Sequence, residues 1–314
     1  MTDSLGHVLI SSMKDEGPYV LEFVAHHRVL GFDRIFIASN DCRDGTDAVL
    51  DALAGAGAIG HTRNVLEPGD IPQHKGYARM RAEHGLDRAD WLMVLDADEF
   101  LQVTTGQGRV QDLTAAAPDG TDIIALNPMT FGTSEDEDWR PGRVTQQFLR
   151  RVPARNRANR PVKTLTRGLK RFRTIHNHCV NGYRGQLPLQ VMRGDGALSA
   201  IAPGTPLWQV LRNVAPDQIA HGLAHYNHYA VKSLSSFLLR HERGRGAVAV
   251  GEGNARHTED YFARIAGARI EDRSIDARYG EAVGAEMARL RAIPAVAAAQ
   301  AEAERRYAGL LAAL

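Results

Sequence analysis

Cysteine is scarce in this chain, which contains only Cys42 and Cys179. Two cysteines so far apart exclude a disulfide framework and a zinc site made of thiolates, and a reducing compartment is their simplest setting. Long apolar runs are also missing, because nowhere do about 18 apolar residues follow one another. The N-terminus, MTDSLGHVLI, lacks the basic segment and apolar core of a targeting signal. We therefore expect a soluble, cytoplasmic protein.

Neither sign of charge is in excess, since 38 Lys and Arg residues stand against 37 Asp and Glu residues. The molecule as a whole gives no reason to expect a nucleic acid as partner, and any preference for an anionic surface would have to be local. Peripheral membrane contact and a homo-oligomer stay open. With 314 residues, 44% of them hydrophobic, the chain is long enough to bury a full core.

The glycine-rich phosphate loops of common nucleotide-binding folds are missing too. Neither GxGxxG nor GxxxxGK[ST] follows the first apolar run, HVLISS (7–12), which disfavours a Rossmann dehydrogenase or a P-loop enzyme. Instead KDEGP follows, in which Asp15 can cap a helix and Pro18 can occupy its first turn. Apolar residues then repeat with helical spacing up to Gly31, whose left-handed conformation would end the helix.

Strands and helices are predicted to alternate along the first half of the chain. Helical patterns in DAVLDALAGAG and HKGYARMRAEHGL separate apolar runs that read as strands at 34–39, 59–65, 91–95 and 122–127. This alternation predicts an α/β fold with a mainly parallel sheet flanked by helices and a ligand site beyond the carboxyl ends of the strands. The chain reads as helical from about residue 230, so we expect a catalytic domain over 1–230 and a helical C-terminal region over 231–314 packed on it.

The stretch WLMVLDADEF (91–100) places three carboxylates directly after the most apolar of these strands. Carboxylates so close repel one another, so they need a cation, hydrogen-bond donors or exposure to water. Asp96 and Asp98 could both reach one hard divalent cation, and Mn²⁺ or Mg²⁺ suits oxygen ligands of this kind. The simpler alternative is that one of them caps the next helix and faces the solvent.

Four motifs together resemble a known family. KDEGPYVLEFVAHHRVLGFDRIFIASNDCRDGT, WLMVLDADEFL, FGTSE and HYAVKSLSSFLLRHERGRG occur in that order over residues 8–246. This series is similar to the glycosyltransferase family 2-like and family 92 enzymes, which have the GT-A fold. The resemblance implies transfer of a sugar, with inversion, from a nucleotide-diphosphate donor such as a UDP-sugar to a hydroxyl group. The acceptor would be a glycan, a lipid-linked glycan or another glycoconjugate.

The resemblance also implies a metal site around the three carboxylates. Asp98 would be the principal ligand of Mn²⁺ or Mg²⁺, Asp96 would contact the metal or the ribose, and Glu99 would orient them. A remote histidine ligand is implied as well, and His178 and His228 match it equally well. Each histidine could instead be an ordinary core or surface residue.

A nucleotide pocket is expected around two loops and a helix start. Asp15 or Glu16 would lie near the nucleoside, and Asp44 would accept a hydrogen bond from the base. Capping of the first helix by Asp15 is the competing explanation. Lys232 and Ser233 would bind phosphate where backbone N–H groups and an ammonium group meet, unless Lys232 lies exposed on an amphipathic helix.

Two charged clusters have less specific interpretations. Glu135 and Asp136 follow FGTS, so one of them could deprotonate the acceptor hydroxyl, although acidity of an exposed surface explains such a run equally well. Residues 150–173 contain ten Lys or Arg and no acidic residue. We favour a flexible lid over a diphosphate or a surface for an acidic acceptor, with a solvated loop as the plain alternative.

Two rival functions remain. A nucleotidyltransferase or another sugar-phosphate activating enzyme also combines an α/β fold with acidic metal ligands, but it typically has a glycine-rich loop where this chain has SSMKDEG. A nucleic-acid-binding protein could use residues 150–173. It predicts salt-sensitive oligonucleotide binding that Asp98→Ala leaves unchanged.

Overall fold

The computed structural model describes residues 3–134, 137–244, 246–250 and 259–314. Within these ranges the strands are β1 (His7–Met13), β2 (Arg34–Ser39), β3 (Gly60–Arg63), β4 (Trp91–Val94), β5 (Glu99–Val103), β6 (Ile123–Leu126), β7 (Pro128–Thr130), β8 (Arg150–Arg151), β9 (Lys163–Arg167), β10 (Phe172–Ile175), β11 (Val180–Tyr183), β12 (Leu189–Arg193), β13 (Leu198–Ile201), β14 (Ala224–His228) and β15 (Ile270–Glu271). The helices are α1 (Gly17–Val29), α2 (Thr46–Gly55), α3 (Pro72–His84), α4 (Val110–Ala115), α5 (Val144–Gln147), α6 (Leu207–Leu211), α7 (Leu234–Arg243), α8 (Glu259–Ala266), α9 (Ser274–Arg291) and α10 (Pro294–Ala312).

An eight-stranded sheet forms the centre of the fold, in the order β13-β12-β6-β9-β4-β1-β2-β3. Parallel pairs join β1 to β2 and β4, β2 to β3, and β6 to β12, whereas β9 and β13 run antiparallel to their neighbours. Six of the eight strands therefore share one direction. The predicted α/β fold with a mainly parallel sheet flanked by helices is confirmed.

Both faces of the central sheet are buried. Because successive side chains of a strand point to opposite sides, neighbouring residues of one strand belong to two different cores. Leu9 and Met93 belong to the core that α1, α2, α9 and α10 cover. Val8 and Leu92, one position away on the same strands, belong to the second core, which α3, β10 and β11 cover. This explains why β1 and β4 read as nearly continuous apolar runs.

A small three-stranded sheet, in the order β5-β14-β7, determines which residues lie beside the three carboxylates that follow β4. β5 begins at Glu99, only a few residues after β4 ends, and it pairs antiparallel with β14. The pairing places His228, the last residue of β14, opposite Glu99. Two segments far apart in the sequence thus meet beside the three carboxylates.

The described part of the chain after residue 230 is mainly helical, as predicted, and α9 and α10 pack on the core. α9 and α10 both contact α1, and α10 also contacts α2 and α7. Tyr279, Leu290 and Tyr307 share one hydrophobic cluster with Val24 of α1. The division into two domains at residue 230 stays a prediction. No helix in the described ranges is both long enough and apolar enough to cross a bilayer.

The prediction for residues 150–173 was wrong in one respect, because this stretch contributes β9 to the middle of the central sheet. Lys163 is fully buried, Arg151 pairs with Asp272, and Arg171 pairs with Asp122. The density of positive charge obscured the signal of a buried strand, in which every residue from Lys163 to Thr166 is buried. Much of the basic stretch therefore stabilises the fold rather than forming a mobile lid.

Candidate active site

A cavity of about 420 Å³ opens beyond the carboxyl ends of β1 and β4, where the fold class predicted a ligand site. Its wall includes parts of the β1–α1 loop, the loop after β2, the turn of residues 96–99 (the DADE turn), the end of β14, the end of α7 and residues 246–250. The polar and charged residues that line it include Ser12, Lys14, Glu16, Asn40, Gln73, Asp96, Asp98, Glu99, His178, His228, Arg240 and Arg243.

The DADE turn concentrates carboxylates because β4 ends and β5 begins within a few residues. The backbone N–H of Glu99 donates to the carbonyl of Asp96 (3.0 Å), which closes a tight turn. The carboxylate of Glu99 then accepts the backbone N–H of Asp96 (2.8 Å). Asp98 and Glu99 are buried, while the Asp96 side chain is a quarter exposed and faces the cavity. Neither aspartate caps a helix, so that alternative does not explain the motif.

Lys163 relieves the repulsion between Asp96 and Glu99. Its ammonium group lies 3.0 Å from Oδ2 of Asp96 and 2.8 Å from Oε2 of Glu99. Burial raises the pKa of Glu99 to about 8, although the charge of Lys163 acts in the opposite direction. Burial by itself would lower the pKa of Lys163, but the two carboxylates raise it above its usual value. Gln73 completes the arrangement by donating to Oδ1 of Asp96 (2.9 Å).

Asp98 has a different cationic partner, Arg240 of α7, whose Nη1 contacts Oδ2 of the carboxylate. Burial opposes ionisation of Asp98, but Arg240 and His228 together hold its pKa well below the usual range. Nε2 of His228 lies 3.5 Å from the same oxygen. The structure therefore brings Asp98 and His228 together, as one of the two alternatives for the remote histidine requires.

His178, the other alternative, lines the same cavity, and its Nδ1 lies 2.9 Å from the carbonyl oxygen of Val162. An imidazole nitrogen and a carboxylate oxygen both suit Mn²⁺, and 3.5 Å between His228 and Asp98 is close enough for one ion to be shared. Asp98 and His228 thus supply two donors of the kind that a divalent cation binds. In the part of the chain that the structure describes, no group of three His, Cys, Asp or Glu side chains is arranged to hold a metal.

The acidic residues of the expected nucleotide pocket have distinct roles. Glu16 lines the cavity and pairs with Arg243, while its other oxygen lies 3.5 Å from Nζ of Lys232. Asp15, at a positive φ of 49°, accepts hydrogen bonds from the backbone N–H (2.6 Å) and Nε (3.0 Å) of Arg43. It does not cap α1, so the capping explanation for Asp15 is wrong.

Asp44 takes the capping role that Asp15 lacks. Its carboxylate accepts the backbone N–H of Gly17 (2.7 Å), at the start of α1, and the backbone N–H and hydroxyl of Thr46, at the start of α2. Asp44 is fully buried and is not among the residues that line the cavity. Its contact with a base stays a prediction, whereas its role in joining the two loops is visible.

Lys232 and Ser233 precede α7, as expected, but both are buried. Lys232 has a positive φ of 51°, and its ammonium group lies 4.2 Å from the ring centroid of Tyr19. Burial lowers the pKa of Lys232 while Glu16 acts against that shift. The hydroxyl of Ser233 accepts the backbone N–H of Ser236 (3.2 Å), which is an ordinary helix cap. An exposed lysine on an amphipathic helix is therefore the wrong alternative, and phosphate binding stays a prediction.

Among the side chains that contact the carboxylates of Glu16, Asp96, Asp98 and Glu99, four were not predicted: Gln73, Lys163, Arg240 and Arg243. Lys163 was counted only as part of the basic stretch. Arg240 and Arg243 lie three positions apart near the end of α7, a spacing that places them on one helix face, and this signal was available in RHER (240–243). Glu135 and Asp136, the expected catalytic residues, lie outside the described residues.

Comparison with known proteins identifies one curated relative. No family model matches the chain. Over 181 residues it is 25% identical to a glycosyltransferase family 92 protein of Ricinus communis, an alignment that covers 56% of this chain and 32% of the relative. The chain thus spans about a third of the length of that relative. The predicted resemblance to family 92 is confirmed.

Solved structures show only distant likeness. TarS of S. aureus (residues 1–349) aligns with a TM-score of 0.33 at 9% identity, covering 52% of this chain and 47% of that protein. The galactosyltransferase LgtC, in complex with donor and acceptor sugar analogues, aligns with a TM-score of 0.25 at 13% identity over 51% of this chain and 57% of that one. Scores this low carry no argument about the chemistry of the cavity.

Proposed function

We propose that this chain is a metal-dependent glycosyltransferase that binds a nucleotide-diphosphate sugar, such as a UDP-sugar, in the cavity at the carboxyl ends of β1 and β4. The observation that carries the proposal is the meeting of Asp96, Asp98 and His228 at one cavity wall, with Asp98 and His228 3.5 Å apart. The similarity to a family 92 protein supports the same class of reaction.

Asp98 and His228 would hold Mn²⁺ or Mg²⁺, and Asp96 would contact the metal or a ribose hydroxyl. When bound, the cation neutralises charge on the diphosphate leaving group as the glycosidic bond breaks. Asp96 is ready for this role because Lys163 and Gln73 hold its two oxygens in one position. Preorganised ligands of this kind lose little entropy when the substrate arrives.

The remaining charges suit the other parts of the donor. Lys14, Arg240 and Arg243 bring positive charge to the cavity wall, where the diphosphate would lie. Glu16 lines the same wall and would face the nucleoside. Asp15 and Asp44 would act indirectly, because they hold the loops that follow β1 and β2.

The acceptor would be a hydroxyl of a glycan, a lipid-linked glycan or another glycoconjugate, attacked with inversion at the anomeric carbon. That reaction needs a base on the acceptor side. Glu135 and Asp136 stay the candidates, on the strength of the FGTSE motif alone. Testing Glu135→Gln and Asp136→Asn for loss of transfer with retained donor binding would decide between them.

The proposal predicts metal-dependent donor binding that requires Asp98 and His228. The purified protein is titrated calorimetrically with UDP-, GDP- and TDP-sugars in the presence of Mn²⁺, Mg²⁺ or EDTA. We expect one of these donors to bind when metal is present and no donor to bind in EDTA. Asp98→Asn or His228→Ala should weaken it by about tenfold or more, since even outer partners of a metal site contribute that much. Asp217→Asn, an exposed change outside the cavity wall, is the matched control. Failure to bind any donor under any metal would refute the proposal.

The nucleotidyltransferase alternative is distinguished by its products. Such an enzyme would release pyrophosphate from a nucleoside triphosphate and a sugar phosphate, whereas a glycosyltransferase releases a nucleoside diphosphate from the donor. Analysis of both products by anion-exchange chromatography separates the two reactions. Salt-sensitive oligonucleotide binding that survives Asp98→Ala would instead favour the nucleic-acid hypothesis.

A further inference from the structure

Asp98 already has a cationic partner within the chain. Its side chain is almost completely buried, and its carbonyl accepts the backbone N–H of Tyr229 (2.9 Å), so both its backbone and its side chain are held in place. Nη1 of Arg240 contacts Oδ2 of Asp98 and also donates to the carbonyl of Ala230 (2.9 Å). The same Oδ2 lies 3.5 Å from Nε2 of His228. Arg240 therefore occupies the oxygen that a shared metal ion would use.

Arg240 still has unused hydrogen-bonding capacity. Its Nε is buried and has no hydrogen-bond partner among the residues that the structure describes. The side chain also lines the cavity, next to Arg243 on the same helix. A guanidinium group presents its donors as a planar fork that matches phosphate oxygens, so a diphosphate in the cavity would satisfy a donor that the protein leaves unpaired.

A divalent cation and Arg240 cannot both be close to Asp98 without repulsion. The single negative charge of Asp98 would then face two positive charges of the cation and one of Arg240. The site is buried, and interactions between charges are stronger there than in water. A diphosphate reverses this balance because it brings negative charge to the same wall. Binding of the metal and of the diphosphate should thus favour one another, and such a coupling acts equally in both directions.

We propose that Arg240 is an exchangeable counter-ion, which neutralises Asp98 in the free protein and turns to the diphosphate when the metal and the nucleotide bind. This inference depends on the proposed function, because it assumes a metal at Asp98 and a nucleoside diphosphate in the cavity. The inference adds Arg240 to the residues of the proposed site and states how the two ligands affect each other. The free protein binds the metal weakly, and the bound nucleotide raises the affinity for the metal.

The test compares the wild-type protein with Arg240→Gln in calorimetric titrations with Mn²⁺ alone and with UDP at saturating Mn²⁺. Arg240→Gln should bind Mn²⁺ alone about tenfold more tightly, since one neighbouring charge changes a protonation equilibrium by that much or more. The same variant should bind UDP in Mn²⁺ about tenfold more weakly, because the guanidinium fork is lost. Opposite signs in the two titrations are the signature of a counter-ion that exchanges partners.

Two further variants keep the test decisive. Arg240→Lys preserves the charge, so its affinity for Mn²⁺ alone should stay within about twofold of wild type while UDP binding weakens. Arg28→Gln removes an arginine that pairs with Glu286 away from the cavity wall, and it should leave both affinities unchanged. In an Asp98→Asn background, Arg240→Gln should no longer tighten Mn²⁺ binding, because the shared carboxylate is gone.

The outcomes separate this inference from the proposed function. Equal Mn²⁺ affinity in wild type and Arg240→Gln, with UDP binding intact, would overturn the inference alone. Absence of UDP, GDP and TDP binding in both proteins would overturn the proposed function, and with it the transfer of Arg240 to a diphosphate. Should Arg240→Gln fail to fold, as judged by circular dichroism, Arg240→Lys and the effect of UDP on Mn²⁺ affinity in the wild type still decide the matter.

Discussion

Lys163 shows how a single residue makes the DADE turn stable. Two buried or half-buried carboxylates lie within 3.0 Å of its ammonium group, which is itself inaccessible to solvent. Removing one member of a buried ion pair leaves an uncompensated charge in a low-dielectric environment, which is far more costly than losing an exposed pair. Lys163 is thus a positioning residue for Asp96 rather than part of a solvated basic surface.

Replacing Lys163 tests this role. We expect Lys163→Met to lower the free energy of unfolding by about 3 kcal/mol, the loss typical of a broken buried pair. Urea denaturation followed by circular dichroism would measure it. Lys170→Met, an exposed change in the same basic stretch, should cost less than about 0.5 kcal/mol. Adding Glu99→Gln to Lys163→Met should restore part of the stability, and no restoration would count against the pairing.

At the scale of elements, the long helix α9 is attached to α1 by an ion pair as well as by apolar packing. Nε of Arg28 on α1 lies 2.7 Å from Oε1 of Glu286 on α9, and Arg289 binds the same carboxylate from one turn further on. Hydrogen bonding by Arg289, assisted by Arg28, lowers the pKa of Glu286 to about 2. The carboxylate therefore joins two elements that are distant in sequence.

This attachment predicts a dependence of stability on acid. Because the folded-state pKa of Glu286 is depressed, its contribution is complete above the ordinary value of 4.5 and is lost as the pH falls towards about 2. Glu286→Gln should remove that contribution, at most about 1 kcal/mol for a pair so near the surface. Thermal unfolding of the wild type and of Glu286→Gln between these pH values would measure this contribution. The difference between the two melting temperatures should shrink as the pH falls. Glu281→Gln, exposed on the same helix, should show no such convergence.

At the scale of the whole molecule, the C-terminal helix α10 supports the loops beside the cavity. A side chain at Gly17 would meet Cβ of Ala303 at 2.8 Å, and one at Gly45 would meet the backbone of Ala303 at 3.6 Å. Both glycines flank Asp44, whose carboxylate joins the starts of α1 and α2. Close packing of α10 against this point links the helical C-terminal region to the expected nucleotide pocket.

Enlarging Ala303 should therefore disturb both stability and binding. We expect Ala303→Leu to destabilise the fold by about 1–3 kcal/mol through overpacking. It should also weaken donor binding, because the loops around Asp44 would have to shift. Ala301→Leu, which is exposed on the same helix, is the control. If Ala303→Leu binds the donor with wild-type affinity under conditions in which the variant is fully folded, α10 only stabilises the core.

The overall architecture could be predicted because its signals are local. The alternation of apolar runs and amphipathic helices depends on neighbours within a few residues, and it led to the parallel strands β1, β2, β3, β4 and β6. β9 and β14 were missed for physical reasons: a dense run of basic residues masks one, and histidines and an asparagine occupy the other. A strand buried by its sheet neighbours needs no apolar sequence when its polar groups find partners, as Lys163 of β9 does with Asp96 and Glu99.

The sequence by itself determined that Asp96 and Asp98 stand at the end of a buried strand of an α/β fold, since a short apolar run and the residues after it are adjacent in the chain. Only the tertiary structure decided which cations neutralise them. Lys163 lies 67 residues from Asp96 and Arg240 lies 142 residues from Asp98. It also decided in favour of His228 as the histidine beside Asp98, because the pairing of β14 with β5 sets that position. Such long-range pairs follow from strand order and helix packing, which no local pattern encodes.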